Sequence, residues 1–395
     1  MRRRDFIGRT ALGAGLLVAE GFAQSRPVLR RKYRVAVIGR TGRGDYGHGI
    51  DVVWKDIDQA ELVAVADEDP AGRAAAARRL GVPRAYADYR EMLERERPDI
   101  VSVAPRWLDG HRDMVVACAE AGSHVFLEKP MCRTLAEADE MIAAMERRGL
   151  KLAIAHQNRY SPTLERVQEI LAEGRLGDLL ELRGRGKEDH RGGGEDLMVL
   201  GTHIMDLMRL LAGDPQWCLA RVLEDRQPVT RRHVREGAEG IGPLAGDEIH
   251  AMYGLPGKVT GYFSTLRARH GASARFGLHV YGTRGVLAIT AGSLLAWYLD
   301  DPSWLPGQGG RGWVPVTSAG IGRPEPLKNE LVGSLGNRRI ALDLIRAIET
   351  DTQPRGSAYD GRWALEMIMA VYESHRLGGP VALPLKNRRH PLELL

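Results

Sequence analysis

Val35-Ala36-Val37-Ile38 runs straight into Gly39-Arg40-Thr41-Gly42-Arg43-Gly44-Asp45-Tyr46-Gly47. An apolar run that ends on such a turn reads as a buried parallel strand feeding a glycine loop. Beyond it, Ile50, Val53, Trp54 and Ile57 fall at helical spacing, which predicts strand, glycine turn and amphipathic helix in that order. Glycines suit this place because a side chain would keep a pyrophosphate from the backbone N–H groups at a helix's positive end. The spacing departs from G-x-G-x-x-G, since Gly39 is followed by Gly42, although Gly42, Gly44 and Gly47 contain the interval. Asp67 ends the next apolar run, Leu62 to Ala66. A carboxylate there accepts both ribose hydroxyls and repels a 2′-phosphate, so NAD is expected, with Glu68 adding to the repulsion. Arg40, Arg43 and Arg73 keep NADP possible.

From Tyr33 on, short Val/Ile/Ala/Leu runs alternate with amphipathic segments, the rhythm of a parallel sheet with crossover helices. Strands are predicted at Arg34 to Ile38, Leu62 to Ala66, Ile100 to Val103, His124 to Leu127 and Leu152 to Ala155. After His156 the rhythm changes. A helix from Pro162 to Glu173, a strand from Leu179 to Arg185, a Gly-rich loop and a helix from His203 to Leu211 come first. Strands at Ile249 to Tyr253, Val259 to Ser264, Phe276 to Tyr281, Val286 to Ile289 and Leu294 to Leu299 follow. Leu305 to Asn329, rich in Gly and Pro, reads as a long loop; helices return at Ile340 to Ile348 and Arg362 to Leu377. The fold class is therefore α/β: a Rossmann domain over 33–156 with a doubly wound parallel sheet, then an α+β domain over 157–385. That second domain holds an open, mostly antiparallel sheet and the closing helices. A chain of 395 residues is long for one core, which agrees with two domains.

Residues 1–24 read as an address. Arg2-Arg3-Arg4-Asp5-Phe6-Ile7, a mildly apolar stretch from Ala11 to Ala19 and small residues near Ala23 look like a twin-arginine signal, so a periplasmic destination is expected. No later apolar run is long enough to span a bilayer, so stable membrane insertion is not expected. The net charge of +5 is spread among acidic residues with no Lys/Arg stripe and stacking aromatics, so nucleic acid is not an expected partner. Cys118, Cys132 and Cys218 have neither metal-like nor CxxC spacing.

Ala121-Gly122-Ser123-His124-Val125 leading into Glu128-Lys129-Pro130 carries a resemblance. The chain resembles the glucose-fructose oxidoreductase / inositol dehydrogenase / MocA family. Pro105 and His111, Asn158-Arg159-Tyr160 with Pro162, Gly174-Arg175-Leu176-Gly177 and Val381-Ala382-Leu383-Pro384 also fit it. The resemblance implies that Pro105, His111, Glu128 and Lys129 join Gly39, Arg40, Thr41, Gly42, Gly44, Gly47 and Asp67 around the cofactor. It also implies pairing of copies through the open sheet of the second domain. From the residues themselves, Lys129 lies at a strand's C-terminal edge, where a doubly wound sheet opens its ligand crevice. An amine there could pass a proton while nicotinamide takes a hydride.

Gly201-Thr202-His203-Ile204-Met205-Asp206 is the second constellation. His203 and Asp206 are one helical turn apart, so one can orient the other, and an imidazole suits proton transfer from a hydroxyl. The family pattern Asp-x-Gly-x-His has its aspartate at Val199 here. Either Lys129 and His203 do the proton work, or Glu195 or Asp196 takes over. Trp107, Arg159 and Tyr160 are further candidates for substrate contact. A metal site from His190, Glu195, Asp196 and His203 matches no ligand motif, and none is expected. The expected function is an NAD(P)-dependent oxidation of a secondary hydroxyl on a sugar, glycoside or cyclitol, with a tightly retained cofactor. The alternatives are a redox-neutral NAD-dependent glycosidase and a non-catalytic nucleotide or sugar binder.

Overall fold

A computed structural model describes residues 32–267, 275–292, 294–300, 312–327 and 329–395. The expected signal over 1–24, and 305–311 and 328 of the expected long loop, lie outside them. The first sheet holds β1 (Tyr33–Ile38), β2 (Ala60–Ala66), β3 (Arg84–Tyr86), β4 (Ile100–Val103), β5 (His124–Leu127) and β6 (Leu152–Ile154). They lie in the order β3-β2-β1-β4-β5-β6 with every pairing parallel. Helices α1 (Pro70–Leu80), α2 (Tyr89–Glu96), α3 (His111–Ala121) and α4 (Leu135–Glu146) make the crossovers. The order reverses between β1 and β4, which opens a crevice beyond their C-terminal ends. Strand β3 escapes sequence reading because it is three largely exposed residues with no apolar run.

The helix expected after the glycine turn does not form. Residues 46–52 are turns, and Val53–Asp56 is a single 3-10 turn. Gly44, Gly47 and Gly49 hold φ of 86°, 66° and 87°, and Asp45 holds 51°, values no α-helix accommodates. The apolar residues are buried all the same. The Trp54 indole donates to the Ser102 hydroxyl at 2.6 Å, which donates to the Ile50 carbonyl at 3.0 Å.

The second half contains α5 (Pro162–Ala172), β7 (Leu179–Arg185), α6 (Gly194–Val199), α7 (Gly201–Ala212), β8 (Trp217–Glu224), β9 (Gln227–Pro228), β10 (Arg235–Glu236) and β11 (Pro243–Leu244). Then come β12 (Glu248–Gly254), β13 (Thr260–Leu266), β14 (Gly277–Gly282), β15 (Gly285–Thr290), β16 (Ala296–Asp300), β17 (Val314–Thr317), β18 (Gly320–Ile321), α8 (Asn329–Glu349), α9 (Ala358–Leu377) and β19 (Val381–Ala382). One large sheet runs β18-β17-β16-β15-β14-β7-β13-β12-β8-β19, with β9 beside β8. Its described pairings are antiparallel except β7 with β13.

The stretch expected as loop from Leu305 to Asn329 holds β17 and β18, an edge hairpin in which Pro315 is tolerated. Strand β8, buried on one face only and interrupted by Arg221, was not anticipated. On one face of the large sheet lie α7 and α9; a β-carbon on Gly184 of β7 would run into Ile204 and Met208 of α7. Helix α8 returns to the first sheet, where Ile340, Leu344 and Ile345 share a core with Val35, Val37, Trp54 and Phe126.

Candidate active site

Beyond the end of β2 the crevice is bordered by Gly39, Ala66, Asp67, Glu68, Tyr89 and Met114. Asp67 stands at the end of β2 as expected, only 2% exposed. Its carboxylate already accepts from the Thr41 amide at 3.1 Å, the Thr41 hydroxyl at 2.7 Å, the Tyr46 hydroxyl at 2.7 Å and the Asp69 amide at 3.0 Å. The Tyr46 ring lies directly on Gly39, where a β-carbon could not fit.

The pyrophosphate end is built differently from the expectation. The amides of Arg40, Gly42, Arg43 and Asp45 donate within the loop itself, and no α-helix begins there. Positive charge is carried instead by Arg40 and Arg43, both paired with Asp109, at 3.2 and 2.7 Å. Gly44 packs on the backbone of Arg106 and Trp107, and the Arg106 amide donates to the Gly44 carbonyl at 3.2 Å. The Arg43 guanidinium lies over the Trp107 ring. Gly42 has open space around it, and Gly47 abuts the Ala104 carbonyl and Glu128.

Glu128 and Lys129 leave the end of β5. The Glu128 carboxylate accepts from the His48 and Lys129 amides, both at 3.2 Å, and lies 3.0 Å from His48 Nδ1. Burial works against this anion, but the His48 hydrogen bonds and the Lys129 charge hold its pKa below the usual range. Lys129 is 7% exposed and its amine donates to the Val199 carbonyl at 3.4 Å. Val199 thus offers an oxygen from its backbone where the family pattern has a carboxylate. Burial pushes the Lys129 pKa down; Glu128 and Glu239 oppose this, while Arg191 and Arg106 add to it.

His203 is 8% exposed and its Nδ1 has no hydrogen-bond partner among the described residues. Burial, reinforced by the charges of Lys129, His156 and His48, sets its pKa well below the usual imidazole value, so the ring is neutral. The expectation that Asp206 orients His203 is corrected. Asp206 accepts from Arg159 Nε at 2.6 Å and sits 3.5 Å from His156 Nδ1, while Arg159 also pairs with Asp360 at 3.0 Å. A buried arginine claims the carboxylate because its own charge needs an anion. His156 donates or accepts at the Thr202 hydroxyl, 3.0 Å away, and meets the His203 ring edge-on at 5.9 Å. Sequence reading missed His156, though a histidine at the C-terminal end of β6 lies on the same crevice edge as Lys129.

Other candidates serve structure. Asp196 is fully buried and accepts from the Lys187 and Glu188 amides at 3.1 Å and from the Thr265 hydroxyl, so it closes its own loop and cannot act on substrate. Arg159 is held in the network just described. The Tyr160 hydroxyl donates to Asp343 at 2.9 Å and accepts from the Gly356 amide at 2.8 Å inside the core. The His111 ring nitrogens lie 3.0 and 2.7 Å from the Met131 and Pro105 carbonyls, fixing the loop rather than reaching into the crevice. Glu195 is half-buried, makes no hydrogen bond or ion pair among the described residues, and has its pKa raised by burial. No group of His, Cys, Asp and Glu among the described residues is placed to hold a metal ion.

Two family models match this chain: the NAD-binding Rossmann fold of an oxidoreductase family over residues 33–156, and the GFO/IDH/MocA C-terminal domain over residues 164–288. The chain belongs to the Gfo/Idh/MocA family of oxidoreductases, and its first domain is an NAD-binding domain. It is similar to D-apiose dehydrogenase from Paraburkholderia graminis, 36% identical over 171 residues, which is 41% of this chain and 45% of the relative. It is also similar to levoglucosan dehydrogenase from Pseudarthrobacter phenanthrenivorans, 26% identical over 250 residues, 57% of this chain and 64% of the relative. The matches therefore span less than two thirds of either relative. A solved levoglucosan dehydrogenase in complex with NADH and L-sorbose shares the fold, with TM-score 0.72 at 22% identity over 90% of this chain and 99% of that one.

Proposed function

We propose that this chain oxidises a secondary hydroxyl of a sugar or cyclitol, with Lys129 as proton acceptor and His203 as a hydroxyl-binding partner. The observation that carries the reading is a buried lysine amine, its pKa lowered, held at the crevice edge beside a neutral histidine with a free nitrogen. NAD, when bound, supplies the hydride acceptor. A neutral Lys129 amine takes the hydroxyl proton as the carbinol C–H bond breaks. The ammonium that results is stabilised by the Glu128 carboxylate, which His48 keeps ionised. His203 Nδ1 can accept a hydrogen bond from a substrate hydroxyl and so hold it at the amine.

The names of the relatives supply the first substrates to try: D-apiose, levoglucosan and myo-inositol. The full chain is mixed with NAD and each polyol while reduced nicotinamide is followed by absorbance. Lys129→Ala is expected to lower turnover by about 10²–10⁴-fold, and the wild-type rate to rise with pH as the amine loses its proton. Unchanged turnover in Lys129→Ala would overturn the assignment. Glycoside cleavage with no net reduced nicotinamide would favour the redox-neutral alternative.

The twin-arginine reading of residues 1–24 supports a second inference. A protein exported folded would carry its NAD inside and hold it through many turnovers, because a compartment without a dinucleotide pool cannot replace it. Nucleotide found in protein purified without added NAD supports retention; cofactor-free protein that works only with a continuous supply contradicts it.

A further inference from the structure

Between β8 and β12 the chain leaves the large sheet and makes a small ribbon, β10 with β11, crowned by the turn Ala238–Gly240. The crown meets the turn Leu108–Gly110 ahead of α3. A β-carbon on Gly240 would stand 3.1 Å from the Asp109 side chain, and Asp109 pairs with Arg40 and Arg43 of the glycine turn. The ribbon thus folds back over the mouth of the crevice.

Glu239 sits at the crown in a left-handed backbone conformation, φ 55° and ψ 24°. Residues with side chains adopt this conformation at a cost, and such residues cluster at functional sites. Its carboxylate makes no hydrogen bond or ion pair among the described residues, although its charge acts on both Lys129 and Glu195. Around Lys129 the other acids are engaged in bonds of their own: Glu128 with His48, Asp109 with two arginines, Asp196 with its own loop. Among the described residues, the hydrogen bond of the Lys129 amine goes to the Val199 carbonyl.

We propose that Glu239 is a catalytic residue supplied by the ribbon: its carboxylate accepts a hydrogen bond from a substrate hydroxyl facing Lys129, selecting a polyol with a second hydroxyl beside the reacting carbon. The role rests on the reading of Lys129 as proton acceptor; the placement does not. The charged groups bearing on Lys129 are Glu128, Glu239, Arg191 and Arg106, with the neutral His203 ring alongside.

Competitive acetylation with acetic anhydride, read by mass spectrometry across pH, titrates the Lys129 amine in the full chain with no substrate. Glu239→Gln removes an anion that favours the ammonium, so the Lys129 midpoint is expected to move to lower pH, while Glu239→Asp stays near wild type. An unmoved midpoint in Glu239→Gln overturns the placement. With whichever of D-apiose, levoglucosan or myo-inositol the wild type oxidises, Glu239→Gln is expected to lower kcat/KM by roughly tenfold or more, with NADH binding unchanged by fluorescence and Glu239→Asp partly restoring the rate. Full kcat/KM in Glu239→Gln overturns the catalytic role while leaving the Lys129 reading intact. A wild type that oxidises none of them sinks the functional reading, and with it the role of Glu239 on substrate, while the acetylation midpoint still decides its placement.

Discussion

Tyr46 answers at the scale of one residue a question that Asp67 alone leaves open. The carboxylate that would receive the cofactor's ribose hydroxyls is already bonded to the Tyr46 hydroxyl at 2.7 Å and to Thr41. A ribose that reaches Asp67 must replace the Tyr46 bond, so the free protein holds an internal competitor. Tyr46→Phe is therefore expected to bind NAD several-fold more tightly, the worth of about 1 kcal/mol for one hydrogen bond. NADP should stay weaker than NAD in both proteins, since its extra phosphate meets Asp67 and Glu68. Titration of each protein with each dinucleotide reads this out. Weaker NAD binding in Tyr46→Phe would show that the hydroxyl serves the bound cofactor instead.

At the scale of elements, what the sequence made legible was what apolar period and glycine placement determine. β4 and β5 fall where their runs end, and Lys129 lies at the crevice edge because it follows β5. The period of Ile50, Val53, Trp54 and Ile57 correctly marked buried residues but not their backbone, because positive φ at Gly47 and Gly49 overrules a helical pattern. Asp206 was misread for another reason: helical spacing shows that His203 could reach it, not that Arg159, 47 residues earlier, would reach it first. Glu239 gave no signal, since its place depends on how a ribbon folds back from a sheet.

The closing 3-10 turn, Pro391–Leu394, begins at His390, whose Nδ1 accepts from the Leu392 amide at 3.3 Å. Burial pushes the His390 pKa down to about 4. The unfolded chain then takes up this proton first as pH falls, so stability declines from about pH 6.5 and levels off near pH 4. The loss attributable to this ring is about 3 kcal/mol. His390→Asn keeps a capping acceptor and should lose that much less stability between pH 7 and pH 4 in urea unfolding; equal losses in both proteins would contradict the account.

Across the whole molecule, the face of the large sheet away from α7 and α9 carries a cross-strand row. Leu219, Met252, Tyr262, Arg183, His279, Ala288, Trp297 and Pro315 stand side by side from β8 to β17. Leu219, Tyr262, Trp313 and Val314 are large apolar residues exposed there or at its edge. We propose that copies of the chain pair through this face. Sedimentation should give an oligomer for the wild type and a monomer for Trp297→Asp; a wild-type monomer at micromolar concentration would contradict the proposal. We propose that the crevice between β1, β4 and β5 moves a hydride from a carbinol carbon to nicotinamide while Lys129 takes the proton. The most direct measurement uses a polyol deuterated at its carbinol carbons, with mass spectrometry of the dinucleotide after a single turnover. Deuterium on the reduced nicotinamide, appearing about 10²–10⁴-fold more slowly with Lys129→Ala, is the expected result; reduced nicotinamide without deuterium, or no reduction with any polyol, would contradict it.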